Sequence, residues 1–467
     1  MYGGVGGRVG LALVLGLGIF AGAAPARAAD LGGDCCADLE ERIAELEATT
    51  ARKGNRKVSL EISGHVNEAV LWWDDGRESN AYVVTNDNSR TRFRFKGKAK
   101  IDKDWEAGYQ IEIGIRTANS KRANQFNAKG NDFAEDVGFD IRDSYWFVKS
   151  KTYGRLSVGR QGTATDQITE INLSQTASFS KYSDIEDTGL GMLLRSKNGG
   201  LTANGVGATG QTGLTWRRLI GDGGDQPGEG ERRFNAVKYV SPEFAGFTAS
   251  AAWGEDDYWD AALNWQGEFH GFTIEAGIGY GEITDNLQTQ TVCAFSAVGA
   301  PDTKCSQFGG SISVLHEKTG LFVNFGAGEK TDDVARRTAV GAAGASDEQT
   351  FWAVQGGIEK KFTEYGKTTV YGEYYDYDGG GNSRRTIASA TDPLNTVGVA
   401  GAQIWSTGVQ SYGAGIAQGF DKAALLVYLS YRHVEGDLTL RNPVTGAIAD
   451  SPLDDLDLVM SGAIIKF

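Results

Sequence analysis

Between Arg90 and Ile101 the sequence reads RTRFRFKGKAKI, with a cation at every second position. Arg90, Arg92, Arg94, Lys96, Lys98 and Lys100 share one parity, and Thr91, Phe93, Phe95, Gly97, Ala99 and Ile101 share the other. A strand sends successive side chains to opposite faces, so this segment has one charged wall and one apolar or small wall. A row of fixed cations makes no bonds; it orders ions and polar solutes in the water beside it. Residues for covalent chemistry are sparse. A hydrolase needs Ser or Asp beside a His, whereas His65, His270, His316 and His433 are scattered through predicted strands and read as ordinary wall residues. There is no metal-ligand spacing and no phosphate-cradling loop, so neither metal nor cofactor is expected.

The cysteines fall into two pairs. Cys293 and Cys305 share a polar segment and form a disulfide candidate in an exported chain. Cys35 and Cys36 are adjacent, which favours a bond between chains over a strained bond between neighbours. Asp34 before Cys35 argues against a lipoprotein cysteine, where a small residue should stand.

These residues need a scaffold and a compartment. Residues 1–28 read as a signal peptide: Arg8, the apolar stretch Val9–Ala24, and Ala26-Arg27-Ala28 as a cleavage site. No later run reaches the ~20 apolar residues of a spanning helix. Any crossing of a membrane is therefore by strands. Loss of Arg8 and Arg27 with the leader takes the net charge from −14 to −16, which argues against a nucleic-acid partner. Residues 29–56 change to helical grammar. Leu39, Ile43 and Leu46 make a short seam, and Asp38 with Glu41 a capping box. So short a helix is marginal alone and would be stabilised by pairing with copies of itself; a flexible linker is the alternative.

From residue 57 to 467 the pattern is strand, short turn, strand, long loop. Trp105, Ala107, Tyr109, Ile111, Ile113 and Ile115 alternate with Glu106, Gly108, Gln110, Glu112, Gly114 and Arg116, and Phe272–Tyr280 and Leu425–Tyr431 repeat the device. Short turns fall near 102–104, 151–154, 241–246, 267–271, 317–320, 361–367 and 419–422. Longer polar stretches fall near 74–89, 118–139, 162–231, 282–308, 330–350, 379–404 and 436–455. A first strand near 58–73 and a last near 456–467 bring the expected total to sixteen antiparallel strands. Both chain ends then lie on the short-turn side, as in bacterial outer-membrane barrels. Val459, Ser461, Ala463, Ile465 and Phe467 share a parity, and the last residue is aromatic. A terminal aromatic of this kind reads as the signal by which barrel-insertion machinery recognises its client. An outer-membrane barrel enzyme is the main competing class, and a soluble β-rich binding protein a weaker one.

Tyr153-Gly-Arg-Leu-Ser-Val-Gly-Arg-Gln161 and Val58-Ser-Leu-Glu-Ile-Ser-Gly-His-Val66, with the Cys-Cys helix before them and Phe467 at the end, resemble the alpha-proteobacterial porin family. The resemblance implies a homotrimer of 16-stranded transmembrane β-barrels in the outer-membrane bilayer, each a channel for small hydrophilic solutes and ions. It also implies a third outer loop folded inward. That loop is the stretch 162–231, which lacks the Pro-Glu-Phe-Gly-Gly element of enterobacterial porins; Pro242-Glu-Phe-Ala-Gly246 falls in a short turn instead. Arg160 sits on the apolar parity of its strand, so alternation should break at the loop entrance. On this reading Arg90, Arg92, Arg94, Arg116 and Arg142 line the wall, and Asp166, Glu170, Asp184, Glu186 and Asp187 come from the loop. Opposite charges ~10 Å apart interact by roughly 0.4 kcal/mol in bulk water and ~1.7 at an effective dielectric of 20. That biases ions by sign without holding a solute. A sugar-selective channel is the variant reading, with Trp146, Tyr371, Tyr375 and Tyr377 as lumen aromatics. The chain shows no amino-terminal plug of an energised transporter.

Overall fold

The computed structural model describes residues 57–130, 138–202, 213–220, 227–229, 233–254, 258–284, 304–332, 346–379 and 386–467, all in one unit spanning 57–467. The expected leader (1–28), the helical segment (29–56) and Cys293 lie outside the described residues.

Nineteen hydrogen-bonded segments make one sheet. Thr386–Ile387 and Ile448–Asp450 are short additions, and Ser79–Thr85 and Arg92–Lys100 are two pieces of one strand. What remains is sixteen antiparallel strands closed on themselves. We number them β1 (Glu61–Asp74), β2 (Ser79–Thr85 and Arg92–Lys100), β3 (Trp105–Arg116), β4 (Gly138–Ser150), β5 (Gly154–Gln161), β6 (Phe234–Val240), β7 (Phe247–Gly254) and β8 (Tyr258–Phe269). The second half is β9 (Phe272–Ile283), β10 (Cys305–His316), β11 (Leu321–Asp332), β12 (Glu348–Thr363), β13 (Gly366–Gly379), β14 (Ala402–Phe420), β15 (Leu425–Arg441) and β16 (Leu456–Lys466). Closure runs from His65 opposite Lys466 to Asp74 opposite Asp457.

All seven short turns fall where the turn residues placed them. Two long stretches differ. The 74–89 region is a tight turn followed by half a strand, and 436–455 is largely the end of β15 plus the Ile448–Asp450 addition. The break in β2 follows from Asn86-Asp-Asn-Ser, residues that bond their own backbone. Asn86 Oδ1 accepts from Asn88 N at 3.1 Å, and Asp87–Ser89 form a single 3-10 turn. His270 lies in the β8–β9 turn rather than in a strand.

Alternation sorts the two faces. Val66, Val70, Ile278, Val323, Phe325, Leu429 and Tyr431 are exposed on the outside, while Asn67, Ser313, Asn324, Gln355 and Thr369 are buried on the inside. Trp146 is half exposed on the outer parity of β4 with Ile141, so it does not line the bore. At the seam, Phe467 and Gly64 exchange both backbone hydrogen bonds, at 2.9 and 3.0 Å. The Phe467 ring lies over Gly64, where a Cβ would come within 2.7 Å of Cζ, so only glycine admits it. Cys305 is buried at the start of β10 and is disulfide-bonded.

One sector of the inner face is apolar as well. Leu71, Trp73, Phe351, Tyr371, Tyr375, Tyr377, Val409, Val434, Leu438, Leu458 and Met460 form one cluster with Phe179, Leu190, Met192, Leu194, Trp216 and Leu219 of the β5–β6 connection. Full burial of side chains of this size stabilises by about 1.5–3 kcal/mol each. The connection is therefore a packed element with a hydrophobic core of its own. Tyr371, Tyr375 and Tyr377 are at most 3% exposed beneath it, so they are packing residues and do not line the lumen as the sugar-selective variant would need.

Candidate functional site

The cationic row meets its partners through a register change. Glu112 pairs with Asp143, but Ile113 pairs with Ile141, so β4 carries one extra residue at this point. Such a bulge breaks the alternation. Arg142 and Asp143 consequently both turn to the inner face, buried at 8% and 6% exposure.

Glu112 is the hub. Its carboxylate takes Arg142 Nε at 2.7 Å, Arg94 Nε at 2.7 Å and Arg92 Nη1 at 3.3 Å. Around it, Arg90 Nη1 reaches Asp140 at 3.0 Å, Arg116 Nε reaches Asp87 at 2.7 Å, and Arg233 Nε reaches Asp143 at 3.0 Å. Six guanidiniums (Arg90, Arg92, Arg94, Arg116, Arg142, Arg233) thus face four carboxylates (Asp87, Glu112, Asp140, Asp143). The patch carries a formal excess of two positive charges. Arg94 is the most open member, its side chain 31% exposed, while Glu112 is fully covered. Water on this wall therefore meets cations first.

The loop acids have a different environment. Lys181 Nζ sits 2.8 Å from Glu170 and 2.9 Å from Asp184, and Lys121 Nζ sits 3.2 Å from Glu186 and 3.3 Å from Asp187. Asp184, Glu186 and Asp187 are all buried. Burial pushes Glu170 and Asp187 up to about 7 against the pull of Lys181 and Lys121. Burial and the neighbouring Asp184 raise Glu186 well above the carboxylate range. Burial also works against the ionised Asp184, yet Lys181, Glu186 and Lys121 together hold it below that range. A protonated Glu186 donating to Asp184 satisfies both oxygens otherwise left without a partner, Asp184 Oδ1 and Glu186 Oε2.

Of the five predicted loop acids, Asp166 lines a cavity shared with the wall, about 180 Å³ in volume, with Asp143, Arg155, Arg233 and Lys238. Glu170, Asp184, Glu186 and Asp187 form the separate lysine-bound cluster. All five predicted arginines converge on the Glu112 and Asp87 carboxylates or their neighbours. Arg160 keeps the outer parity of a strand paired without a register shift, so the expected break of alternation at the loop entrance does not occur, and it donates to Ile141 O at 2.8 Å.

Sequence reasoning missed Arg233, Lys121, Lys181 and Arg432. The first three belong to aperiodic connections. Arg432 occupies the inner parity of β15, where one cation among leucines and tyrosines gave no signal of its own. Its Nε bonds Glu373 at 2.6 Å, and its Nη atoms bond Ser180 Oγ, Lys181 O and Ile185 O at 3.0, 2.5 and 3.3 Å.

Comparison with known proteins agrees with this architecture. The structure is similar to OprB of Pseudomonas putida at high pH, with 13% identity over 92% of this chain and 97% of that one, at a TM-score of 0.51. It is also similar to the anion-selective porin from Comamonas acidovorans, with 16% identity over 88% of this chain and all of that one, at a TM-score of 0.50. At such identities the likeness is one of fold. No curated protein matches the sequence. The model of the Gram-negative porin family, however, matches residues 11–439. This chain belongs to the Gram-negative porin family and is an outer-membrane diffusion channel.

Proposed function

We propose that small hydrophilic solutes and ions cross this barrel along the arginine wall, with the β5–β6 connection folded inward as the constriction. The carrying observation is the excess of guanidiniums over carboxylates around Glu112, beside a connection whose own acids are bound to Lys121 and Lys181. A wall with a surplus of guanidiniums, beside acids that are held by lysines and buried, attracts anions. Charges in such a waist bias permeation by sign. The working unit on this reading is a homotrimer inserted through Phe467 recognition.

No bond chemistry is assigned. His65 Nε2 is 3.3 Å from Ser89 Oγ, yet the same nitrogen is 3.1 Å from the carbonyls of Ser89 and Arg90. A nitrogen that donates to carbonyls cannot take a proton from serine. The sugar-selective variant loses its aromatic platform, since Tyr371, Tyr375 and Tyr377 are covered. Reversal potentials in a KCl gradient test the reading. Replacing Arg90, Arg92 and Arg94 together by glutamine should move the potential toward cation preference, and an unchanged potential would remove these residues as selectivity determinants.

A further inference from the structure

We infer that Arg155 anchors a subsite for small monocarboxylates on the inner wall between β4, β5 and β6, below the arginine cluster on the short-turn side. The site is the 180 Å³ cavity already described, and it rests on the channel reading only in that its ligand would arrive through the bore.

The charges in that cavity do not cancel. Asp143 is engaged by Arg233 at 3.0 Å and by Gln110 at 2.6 Å. Asp166 lines the same cavity. Lys238 donates to Gly162 O at 3.2 Å and Thr163 O at 2.6 Å. Three cations thus meet two acids, and among the described residues no ion pair involves Arg155. Its guanidinium carbon lies 4.3 Å from the Phe147 ring centroid and 5.3 Å from that of Tyr145. Those rings fix the plane of the group without supplying an acceptor. Arg155 Nε is buried with no hydrogen-bond partner. Arg155 also lines the cavity, so a solute entering it meets this residue.

A carboxylate is the acceptor that fits. It matches a guanidinium edge with two parallel hydrogen bonds, and one negative charge balances the one unmatched positive charge. The volume corresponds to about six waters at their share in the liquid, ~30 Å³ each. That is room for a short-chain acid such as propionate.

Saturation-transfer NMR on the detergent-solubilised full chain tests this, with propionate as probe and propionamide, its uncharged analogue, in the same tube. Saturable transfer to propionate alone is expected, weakened at least tenfold in Arg155→Gln and less in Arg155→Lys, which keeps the charge. Heat-modifiable gel mobility confirms that both variants are folded. Equal transfer to the two probes, or an Arg155→Gln variant that binds propionate as the parent does, overturns the subsite. KCl conductance of the same preparation separates the two readings. A conducting protein that ignores propionate loses only the subsite, whereas one that binds propionate without conducting loses the channel.

Discussion

Arg432 on β15 and Glu373 on β13 form a pair at 2.6 Å, with side chains 1% and 5% exposed, and the arginine uses its remaining donors on the β5–β6 connection. One guanidinium therefore fastens the wall to residues 180–185. Breaking such a buried pair from one side costs about 3–5 kcal/mol, because the remaining charge stays buried without a partner. In Arg432→Leu the segment should undock, and trypsin cleavage after Lys181 should rise by about a hundredfold or more. Unchanged cleavage would mean that the apolar cluster alone holds the loop.

That cluster has its own weak point. Trp216 is 1% exposed and lies against Gly436, where an added Cβ would sit 2.6 Å from Cζ3. Gly436→Val should displace the indole and lower thermal stability by about 1–3 kcal/mol, the range for overpacking. Trp216→Ala should cost about 3–5 kcal/mol. Denaturation followed by tryptophan fluorescence for the first, and by circular dichroism for the second, measures both.

Glu112 bonds three arginines at once. Glu112→Gln leaves those guanidiniums facing one another without a counter-charge. The account expects a loss of about 3–5 kcal/mol together with a larger anion preference in reversal potentials. Loss of stability with no change in selectivity would make the cluster a brace alone.

The loop acids impose a pH dependence. Glu170 and Asp187 titrate near 7 in the folded loop, above the ordinary carboxylate range. Between about pH 4 and 7 the folded loop therefore holds more protons than the undocked one. Its docking stability is full at the acid end of that window and falls as pH rises through 7. Asp184 acts oppositely, being held low, and its contribution is lost only under stronger acid. Hydrogen exchange of residues 181–187, corrected for intrinsic rates, should show greater protection at pH 5 than at pH 8. The reverse order would place ionised acids at the heart of the docked state.

Much of the barrel was legible in the sequence because one face of each strand must be apolar. The period of two survives from Phe93 and Phe95 through Ile111, Ile278, Val323 and Leu429, and the short turns follow between. The inner face was harder to read. Its apolar sector, with Leu71, Tyr375, Val434 and Leu458, breaks the polar-inside rule because a folded connection covers it, and no local pattern announces a partner 200 residues away in sequence. The arginine row was plain, but its pairing was not. The bulge that turns both Arg142 and Asp143 inward depends on register against β3, which spacing along one strand does not encode. Lysines that bind the loop acids sit in aperiodic segments, so no spacing marked them as the partners of those acids.

The central claim is that a closed barrel keeps a water-filled path beside the arginine wall although the β5–β6 connection packs against the apolar sector of the inner face. Single-channel recording of the purified protein in a planar bilayer bathed in KCl tests this most directly. Discrete conductance steps with an anion-biased reversal potential in a salt gradient are the predicted result. A silent bilayer, with protein verifiably inserted and folded, would contradict it.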